Sequence, residues 1–370
     1  MKSTPTPEVS VVVTIFREGD LLRPTLDSVL DQTFQNFEIV LVDNNADEKT
    51  RKVAEDYLKK HPSRIRIVNE SVQGMCAAKN RGILESRGDW VAFIDGDDLM
   101  LPDRLEKQRQ VLLSRPDLSL VTCRYDRISH DGREVLEKNI TGPTGQSAMW
   151  RELEQAFSDL YSFRFSPARM DQFRLTIPST FFLRKSTLVD VGLFDMRLNP
   201  RWCEDYELQT RLFEVGGFYQ IPEPLIFYRA PDLQAKKVKE SQVSGVERFW
   251  QDQRFFTILY ENFSCHGPRA FEALRRMRSI WLKGVALHFL KFQEGKRIGQ
   301  TLLRRAIEDA PDKTKVLKLL VKSHAPDFLV PRLFWFDHLE TGDFGSEVTD
   351  FENIFLPWPP VFPEKGVFKK

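Results

Sequence analysis

The sequence predicts an α/β fold, with a mainly parallel central sheet flanked by helices and a helical C-terminal region. Three observations predict it. Between residues 8 and 130, short β-branched runs alternate with segments whose apolar residues recur at helical spacing. The strand-like runs are apolar on both faces, which is typical of parallel strands covered by helices on each side. Beyond about residue 240 strand patterns stop, and helical spacing continues to about residue 322.

Strand and helix patterns follow one another in order along the first 130 residues. The predicted strands are dense in β-branched and apolar residues and cover 9–16, 37–42, 64–68, 91–94 and 118–127. The predicted helices have apolar residues three and four positions apart and cover 21–30, 46–60, 74–86 and 102–114. Pro102 suits a first helical turn, and Asp131-Gly132 predicts a hairpin turn.

The pattern is sparser between residues 140 and 240. The predicted elements there are a strand over 177–183, helices over 185–189 and 204–215, and strands near 218–221 and 225–228. The whole pattern predicts three parts of the chain. Residues 1–240 form an α/β domain, 241–325 a helical region, and 326–370 an irregular tail rich in proline and aromatic residues.

Composition and charge argue against several classes of protein. The net charge of +1 gives no overall signature for binding nucleic acid. No apolar run approaches the ~18–20 residues of a membrane span, and the N-terminus lacks an apolar signal core. The four cysteines, Cys76, Cys123, Cys203 and Cys265, are scattered and form no Cys-x-x-Cys pair. We therefore expect free thiols and a location in the reducing cytoplasm.

One short stretch carries the strongest chemical signal. The apolar run Val91–Ile94 is typical of a buried strand, and three carboxylates, Asp95, Asp97 and Asp98, follow it. Crowded carboxylates repel one another, and a hard divalent cation that takes oxygen ligands and bridges to phosphate usually compensates. A calcium loop is disfavoured because Met100 stands where such a loop requires glycine. Because ligands bind at the carboxyl ends of strands in open α/β sheets, the stretch predicts a metal–phosphate site.

Two other strand ends present polar groups at the same predicted edge of the sheet. Thr14, Phe16 and Glu18 end the first strand, and Asp43 and Asn44 end the second. Asp43 can accept a hydrogen bond from a base N–H; the alternative is that Asp43 and Asn44 cap the following helix. No Gly-x-Gly-x-x-Gly and no Gly-x-x-x-x-Gly-Lys-Ser/Thr occurs, which disfavours a dinucleotide-binding fold and a P-loop NTPase.

Two further groups are candidates for the same chemistry. Lys79 follows two alanines on a predicted helix, where it can face a diphosphate; the alternative is a lysine on a solvated helix face. Glu204 and Asp205 begin another predicted helix, where carboxylates favour the positive end of the helix dipole. Trp202 belongs to an aromatic loop before them that resembles the wall of a site. A carboxylate there can act as a general base toward an alcohol.

Taken together, these segments resemble the family 2 glycosyltransferases, which have the GT-A fold, over about residues 8–232. The motifs are Val-Ser-Val-Val-Val-Thr at 9–14, Ile-Val-Leu-Val-Asp-Asn-Asn at 39–45, Ala-Ala-Lys-Asn-Arg-Gly at 77–82, Gly-Asp-Trp at 88–90, Asp-Gly-Asp-Asp at 95–98, Pro-Asp-Arg-Leu at 102–105, Val-Gly-Leu-Phe-Asp at 191–195, Glu-Asp-Tyr-Glu-Leu at 204–208, Pro-Glu-Pro-Leu at 222–225 and Tyr-Arg at 228–229. Their number, order and spacing carry the resemblance.

The resemblance implies transfer of one sugar from a nucleotide-sugar, commonly a UDP-sugar, with inversion at the anomeric carbon. Asp97 and Asp95 would hold Mn²⁺ or Mg²⁺, and Asp205 would remove the acceptor proton. The nucleotide or substrate contacts that it implies are Thr14, Phe16, Glu18, Asp43, Asn44, Lys79, Asp95, Asp98, Trp202 and Glu204. At the ordinary carboxyl pKa of ~4, Asp205 would be ionised at pH 7.

The chain departs from the family pattern at the metal site and in its C-terminal third. Many relatives carry a histidine shortly after the Tyr-Arg motif; here Asp232 is the candidate substitute. The Gln-x-x-Arg-Trp motif of processive relatives is missing, which predicts one sugar per encounter. Residues 269–305 carry ten Lys or Arg and two acids, interleaved with apolar residues. Such helices can rest on an anionic membrane near a lipid-linked acceptor, and the alternative is a helical bundle whose apolar stripe packs on the catalytic domain.

The predicted acceptor is a glycan, glycolipid or other hydroxyl compound, as in bacterial-type surface glycan synthesis. Two other functions stay open. A nucleotidyltransferase also has a nucleotide-binding α/β domain and an acidic metal loop, but Phe16–Asp20 is a poor match to its glycine- and arginine-rich loop. A non-catalytic nucleotide-sugar-binding or scaffold protein would explain the missing histidine, whereas Asp95, Asp97 and Asp205 argue against it.

Overall fold

A computed structural model describes residues 6–142, 175–199, 203–230, 245–263, 268–290, 296–310 and 312–324, with isolated positions at 155–168 and 266. The chain divides into two compact units. The first combines Met1–Gln146 with Tyr161–Lys236, and the second combines Ser147–Leu160 with Lys237–Lys370. The domain borders drawn from the sequence at 240 and 325 stay predictions, and the tail 326–370 lies outside the described residues.

The first unit is built on a mixed sheet. Its strands are β1 Val9–Ile15, β2 Phe37–Asp43, β3 Ile65–Asn69, β4 Trp90–Asp95, β5 Leu99–Met100, β6 Leu118–Ile128, β7 Val135–Ile140, β8 Phe182–Arg184 and β9 Gly217–Arg229. They are ordered β3-β2-β1-β4-β8-β6-β9-β5, and β7 pairs with β6. The strands β3, β2, β1 and β4 run parallel, as the sequence predicts. The other half mixes both directions, because β8 is antiparallel to β4 and β6 while β9 is parallel to β6.

Helices flank the sheet in the first unit and make up the described part of the second. Those of the first unit are α1 Leu22–Leu30, α2 Glu48–Lys60, α3 Met75–Glu85, α4 Arg104–Ser114, α5 Lys185–Asp190 and α6 Glu204–Val215. Those of the second are α7 Gly245–Phe263, α8 Pro268–Phe289, α9 Lys296–Asp309 and α10 Lys313–Lys322. None of the described helices is long and apolar enough to cross a membrane.

The central strands are buried on both faces, which explains their continuous apolar sequence. Every residue of β1 and β2 is buried. Alternate residues of β1, such as Val11 and Val13, join a core with the apolar side chains of α1 and α2. On the other face Val12 meets α3, where a Cβ added to Gly82 would lie 2.3 Å from Val12 Cγ1. The predicted parallel, helix-covered sheet is therefore confirmed in this half of the first unit.

Three details differ from the sequence pattern. The predicted strand 177–183 is a 3₁₀ turn, Pro178–Thr180, followed by β8, because proline at the first turn position favours the turn. The two strands predicted near 218–221 and 225–228 are one strand, β9, whose pairing with β6 shifts register on either side of Arg124. The strand β5 has only two residues, too few to give a periodic pattern.

In the second unit the apolar stripe of α8 is core. Leu274, Met277 and Trp281 are buried, and the ring of Trp281 packs 5.4 Å from that of Phe256 on α7. The buried guanidinium of Arg278 donates to Asp309 at 2.8 Å. The apolar residues Leu274, Met277 and Trp281 of the basic segment are therefore used for packing, whereas cations such as Arg269, Arg297 and Arg304 are exposed.

Candidate active site

The parallel half of the sheet brings several predicted site residues to one edge. Thr14 on β1 lies opposite Asp95 on β4, and Ile15 lies opposite Asp43 on β2. Asp43 in turn lies opposite Asn69 on β3. These are the carboxyl ends of adjacent parallel strands, where α/β sheets bind their ligands.

The three carboxylates of the acidic loop have different surroundings. Asp95 and Asp97 are partly exposed, whereas Asp98 is fully buried. Asp98 accepts hydrogen bonds from Ser179 Oγ at 2.6 Å and from the backbone N–H of Arg229 at 2.9 Å. Burial and the charges of Asp97 and Asp95 raise the pKa of Asp98 well above its usual range. Asp98 thus holds the loop in place, while the side chains of Asp95 and Asp97 stay partly exposed.

Arg229 is a site residue whose role the sequence patterns did not reveal. Its side chain is buried, and Nε donates to the carbonyl oxygen of Asp97 at 2.8 Å. Nη1 donates to the carbonyl oxygen of His130 at 2.8 Å, so one guanidinium ties the acidic loop to the turn between β6 and β7. The left-handed Gly132 (φ +74°) makes room, because a Cβ there would lie 2.9 Å from Arg229 Nη1.

Asp95 and Asp97 fit a divalent metal of the Mg²⁺ or Mn²⁺ type. Such ions are commonly held by one or two carboxylates, with phosphate and water oxygens completing the coordination. Among the described residues no cluster of three or more acidic, histidine or cysteine side chains forms a closed metal cage. Two carboxylates leave coordination positions open, so they would suit a metal that is shared with a diphosphate. Asp232, the candidate substitute for the missing histidine, lies outside the described residues.

Lys79 is buried, so its alternative reading as a solvated lysine is wrong. The side chain is 2% exposed, and Nζ lies 3.9 Å from Asp95 Oδ1 and 5.8 Å from the centre of the Phe194 ring. Phe194, in the loop that follows α5, is held by two hydrogen bonds with the Asn80 side chain, both 2.9 Å. From α6, Arg211 donates to the carbonyl oxygens of Val191 and Leu193 in the same loop.

Glu204 and Asp205 begin α6, directly after Cys203 in a left-handed conformation (φ 54°). Burial, reinforced by the charge of Glu204, raises the pKa of Asp205 to about 7, while Lys79 acts in the opposite direction. The expectation of an ordinary carboxyl pKa is therefore wrong, because it neglected desolvation. Trp202 lies outside the described residues.

Glu18 packs against the acidic loop at Gly96. Its Oε2 accepts the backbone N–H of Phe16 at 2.6 Å, and a Cβ added to Gly96 would lie 3.0 Å from Glu18 Cγ. Burial is the main cause that raises the pKa of Glu18 to about 7, and the charge of Asp97 adds to it. Glu18 is therefore coupled electrostatically to a predicted metal ligand.

A pocket of about 560 Å³ opens at the ends of β1, β2 and β3 against α2, within the usual size range of small-molecule sites. Asp43, Arg51 and Asn69 line it. Asp43 Oδ1 accepts the Ala46 N–H at 2.7 Å, but the side chain that caps α2 is that of Asp47.

Asn44 is engaged inside the protein. Its amide donates to the carbonyl oxygens of Glu70 and Val72 and accepts the Gly74 N–H at 2.8 Å. It therefore shapes the loop before α3, and neither it nor Asp43 caps α2 as the alternative reading held.

Sequence comparisons give the family. The profile described as Glycosyl transferase family 2 matches residues 10–190. MJ1057 of Methanocaldococcus jannaschii, an uncharacterised glycosyltransferase, is 33% identical over 258 residues, which cover 68% of this chain and 82% of the relative. RT0329 of Rickettsia typhi, also an uncharacterised glycosyltransferase, is 27% identical over 255 residues, which cover 67% and 72%.

A solved structure shares the fold. S. aureus TarS in complex with UDP-GlcNAc aligns with a TM-score of 0.59 at 15% identity, over 92% of this chain and 97% of that one. At this identity the likeness shows the fold alone, which is the mixed α/β arrangement of the GT-A type with a helical C-terminal region. The profile match and the 33% identity to MJ1057 over 68% of this chain show the family, and the carboxylates at one sheet edge agree with it. The chain belongs to the family 2 glycosyltransferases.

Proposed function

We propose that this glycosyltransferase moves one sugar from a UDP-sugar to an acceptor hydroxyl, with metal assistance and inversion at the anomeric carbon. One observation carries the proposal. The buried Lys79 lies beside Asp95 of the acidic loop and also acts electrostatically on Asp205 of α6. A cation suited to a diphosphate thus lies beside the acidic loop, and its charge also favours the ionised form of a carboxylate suited to an acceptor hydroxyl. TarS, a structural neighbour, has been solved with UDP and with UDP-GlcNAc.

The proposed reaction is a direct displacement. Asp205 accepts the proton of the acceptor hydroxyl as its oxygen bonds to the anomeric carbon. The bond from that carbon to the diphosphate oxygen breaks, and the diphosphate leaves with the bonding electrons, so attack from the opposite side inverts the centre. Lys79 stabilises the charge that develops on the leaving group. Asp97 and Asp95 would hold a divalent metal, which would supply Lewis-acid stabilisation of the same charge.

We place the reaction in surface glycan synthesis in the cytoplasm. TuaG of Bacillus subtilis, named for teichuronic acid biosynthesis, is 33% identical over 138 residues that cover 37% of this chain and 54% of the relative. Cys76 and Cys123 are buried free thiols, which suits a reducing compartment. We further propose that the basic helices 269–305 contact anionic membranes through exposed cations such as Arg269, Arg297 and Arg304.

Titration of UDP into the protein with and without Mn²⁺ tests the donor and the metal. We expect Mn²⁺ to tighten UDP binding at least about tenfold, and Asp97→Ala to abolish that effect, because a carboxylate ligand is lost. The control is Asp89→Ala, an exposed aspartate directly before the amino end of the same strand β4. Absence of UDP binding, or a metal effect that survives in Asp97→Ala, would contradict the proposal. The anomeric proton of the product in NMR spectra reports inversion or retention.

A further inference from the structure

The pocket beside Asp43 contains an arginine that belongs to no motif of the sequence. Arg51, on the first turn of α2, donates from Nε to Asp43 Oδ2 at 2.7 Å and from Nη2 to Oδ1 at 3.4 Å. The Asp43 side chain is 7% exposed, and that of Arg51 is 47% exposed. The arginine therefore fixes the carboxylate at the bottom of the pocket and forms part of the open rim.

The hydrogen bonds leave capacity on both partners. Asp43 Oδ1 also accepts the Ala46 N–H, whereas Oδ2 has a lone pair beyond the one that Arg51 uses. The guanidinium has five N–H groups, and Nη1 makes no hydrogen bond to the described residues. The pocket thus places the Asp43 carboxylate, which only accepts hydrogen bonds, next to the Arg51 guanidinium, which only donates them.

This pair complements one arrangement of ring atoms. A ring N–H next to a carbonyl, as N3–H and O4 of uracil, can donate to Asp43 while accepting from Arg51. In the same position cytosine turns the lone pair of N3 toward the carboxylate and its amino group toward the guanidinium, which is unfavourable at both contacts. The side chains of Ile15, Leu58 and Ile67 give the pocket apolar surface for a flat ring.

Resting on the proposed UDP-sugar donor, we propose that Arg51 is a specificity-determining residue of the nucleotide site. It orients Asp43 and contacts a base carbonyl, and the two side chains together select uracil over cytosine. Lysine at this position keeps the charge but lacks the planar fork that holds the carboxylate and a carbonyl together.

Titration of UDP and CDP, both with Mn²⁺, into the full chain and into Arg51→Met tests the inference. We expect the unaltered protein to favour UDP, and Arg51→Met to weaken UDP binding about tenfold with little effect on CDP, because a charge-assisted hydrogen bond is lost. Arg51→Lys should restore only part of the preference. Lys52→Met is the matched control, because it removes the same charge from the next residue of α2, which does not line the pocket.

The outcomes separate this inference from the proposed function. If the ratio of the UDP and CDP dissociation constants is unchanged in Arg51→Met, whether both bind more weakly or neither does, the role of Arg51 is overturned while the UDP-sugar donor stands. Failure of the unaltered protein to bind UDP would overturn the proposed donor and this inference with it. Circular dichroism of each variant identifies any loss of folding.

Discussion

Asp205 has the surroundings of a general base tuned toward neutral pH. Its raised pKa of about 7 comes first from burial and then from Glu204, and Lys79 limits the rise. A base acts in its ionised form, so kcat/KM should rise with pH and level off above about pH 7. Asp205→Asn should lower turnover by about 10²- to 10⁴-fold and leave the dissociation constant of UDP nearly unchanged. Steady-state rates from pH 5.5 to 8.5 and UDP titration measure both.

The control is Asp190→Asn, which changes an exposed aspartate at the end of α5 and should leave the pH profile intact. A raised folded-state pKa also affects stability. Between the ordinary aspartate pKa of ~4 and pH 7, the folded protein binds more protons at Asp205 than the unfolded chain does. The contribution of Asp205 to stability therefore falls as pH rises through this range. Asp205→Asn should therefore raise Tm at pH 8 and change it little near pH 4. Turnover that survives in Asp205→Asn would remove Asp205 from the role of base.

Local sequence patterns point to those candidate site residues whose immediate neighbours in the sequence are distinctive. Asp95 and Asp97 stand at the end of an apolar run, and Lys79 lies among small residues, so neighbours in sequence reveal them. Ser179 and Arg229 bind Asp98 from 81 and 131 positions away. No periodic pattern encodes such contacts, because they depend on how the 3₁₀ turn before β8 and the strand β9 are placed relative to the acidic loop.

Contact between α3 and the sheet is close because position 82 has no side chain. A Cβ there would lie 2.3 Å from Val12 Cγ1 and 3.1 Å from Val42 Cγ2, both on buried strands. Replacing glycine by alanine inside a helix ordinarily stabilises a protein by about 0.5–1 kcal/mol. Here we expect Gly82→Ala to destabilise by about 1–3 kcal/mol, because the strands cannot yield without disturbing the core. Urea denaturation measures the difference.

Leu84→Ala on the same helix is the control. Leu84 is 57% exposed, so its truncation should change the free energy of unfolding by less than about 0.5 kcal/mol. A stabilised Gly82→Ala protein would mean that α3 stands further from the sheet than the structure has it. The sign of the effect decides the question, because propensity and packing act in opposite directions at this position.

At the level of elements, long periodic segments were predicted and short or irregular ones were not. The helices α2 and α6 and the strands β1 and β2 repeat a hydrophobic period for several turns or residues, and the structure confirms them. The strand β5 forms only because β9 offers a partner for Leu99 and Met100. Its existence depends on tertiary contact, which the local sequence does not contain.

The charge of the whole molecule is unevenly distributed. The net charge is only +1, yet residues 269–305 hold ten Lys or Arg and two acids. Arg278 and Arg275 are paired with Asp309, and the apolar stripe of α8 is buried. Membrane contact through this segment therefore has to be electrostatic, without insertion of its apolar residues, and such attraction is screened by salt.

Sedimentation with vesicles tests this expectation. Binding to vesicles that contain about a third phosphatidylglycerol should occur in 50 mM NaCl and be lost in 500 mM NaCl, and vesicles of phosphatidylcholine alone should not bind. Arg297→Glu with Arg304→Glu reverses two exposed charges seven residues apart on one face of α9 and should weaken binding. Lys59→Glu with Lys60→Glu makes the same change of charge on α2 and should not. Binding that resists salt would contradict the electrostatic account, because it would require apolar insertion. Equal loss in both double variants would mean that net charge, and not the basic helices, directs the protein to the membrane.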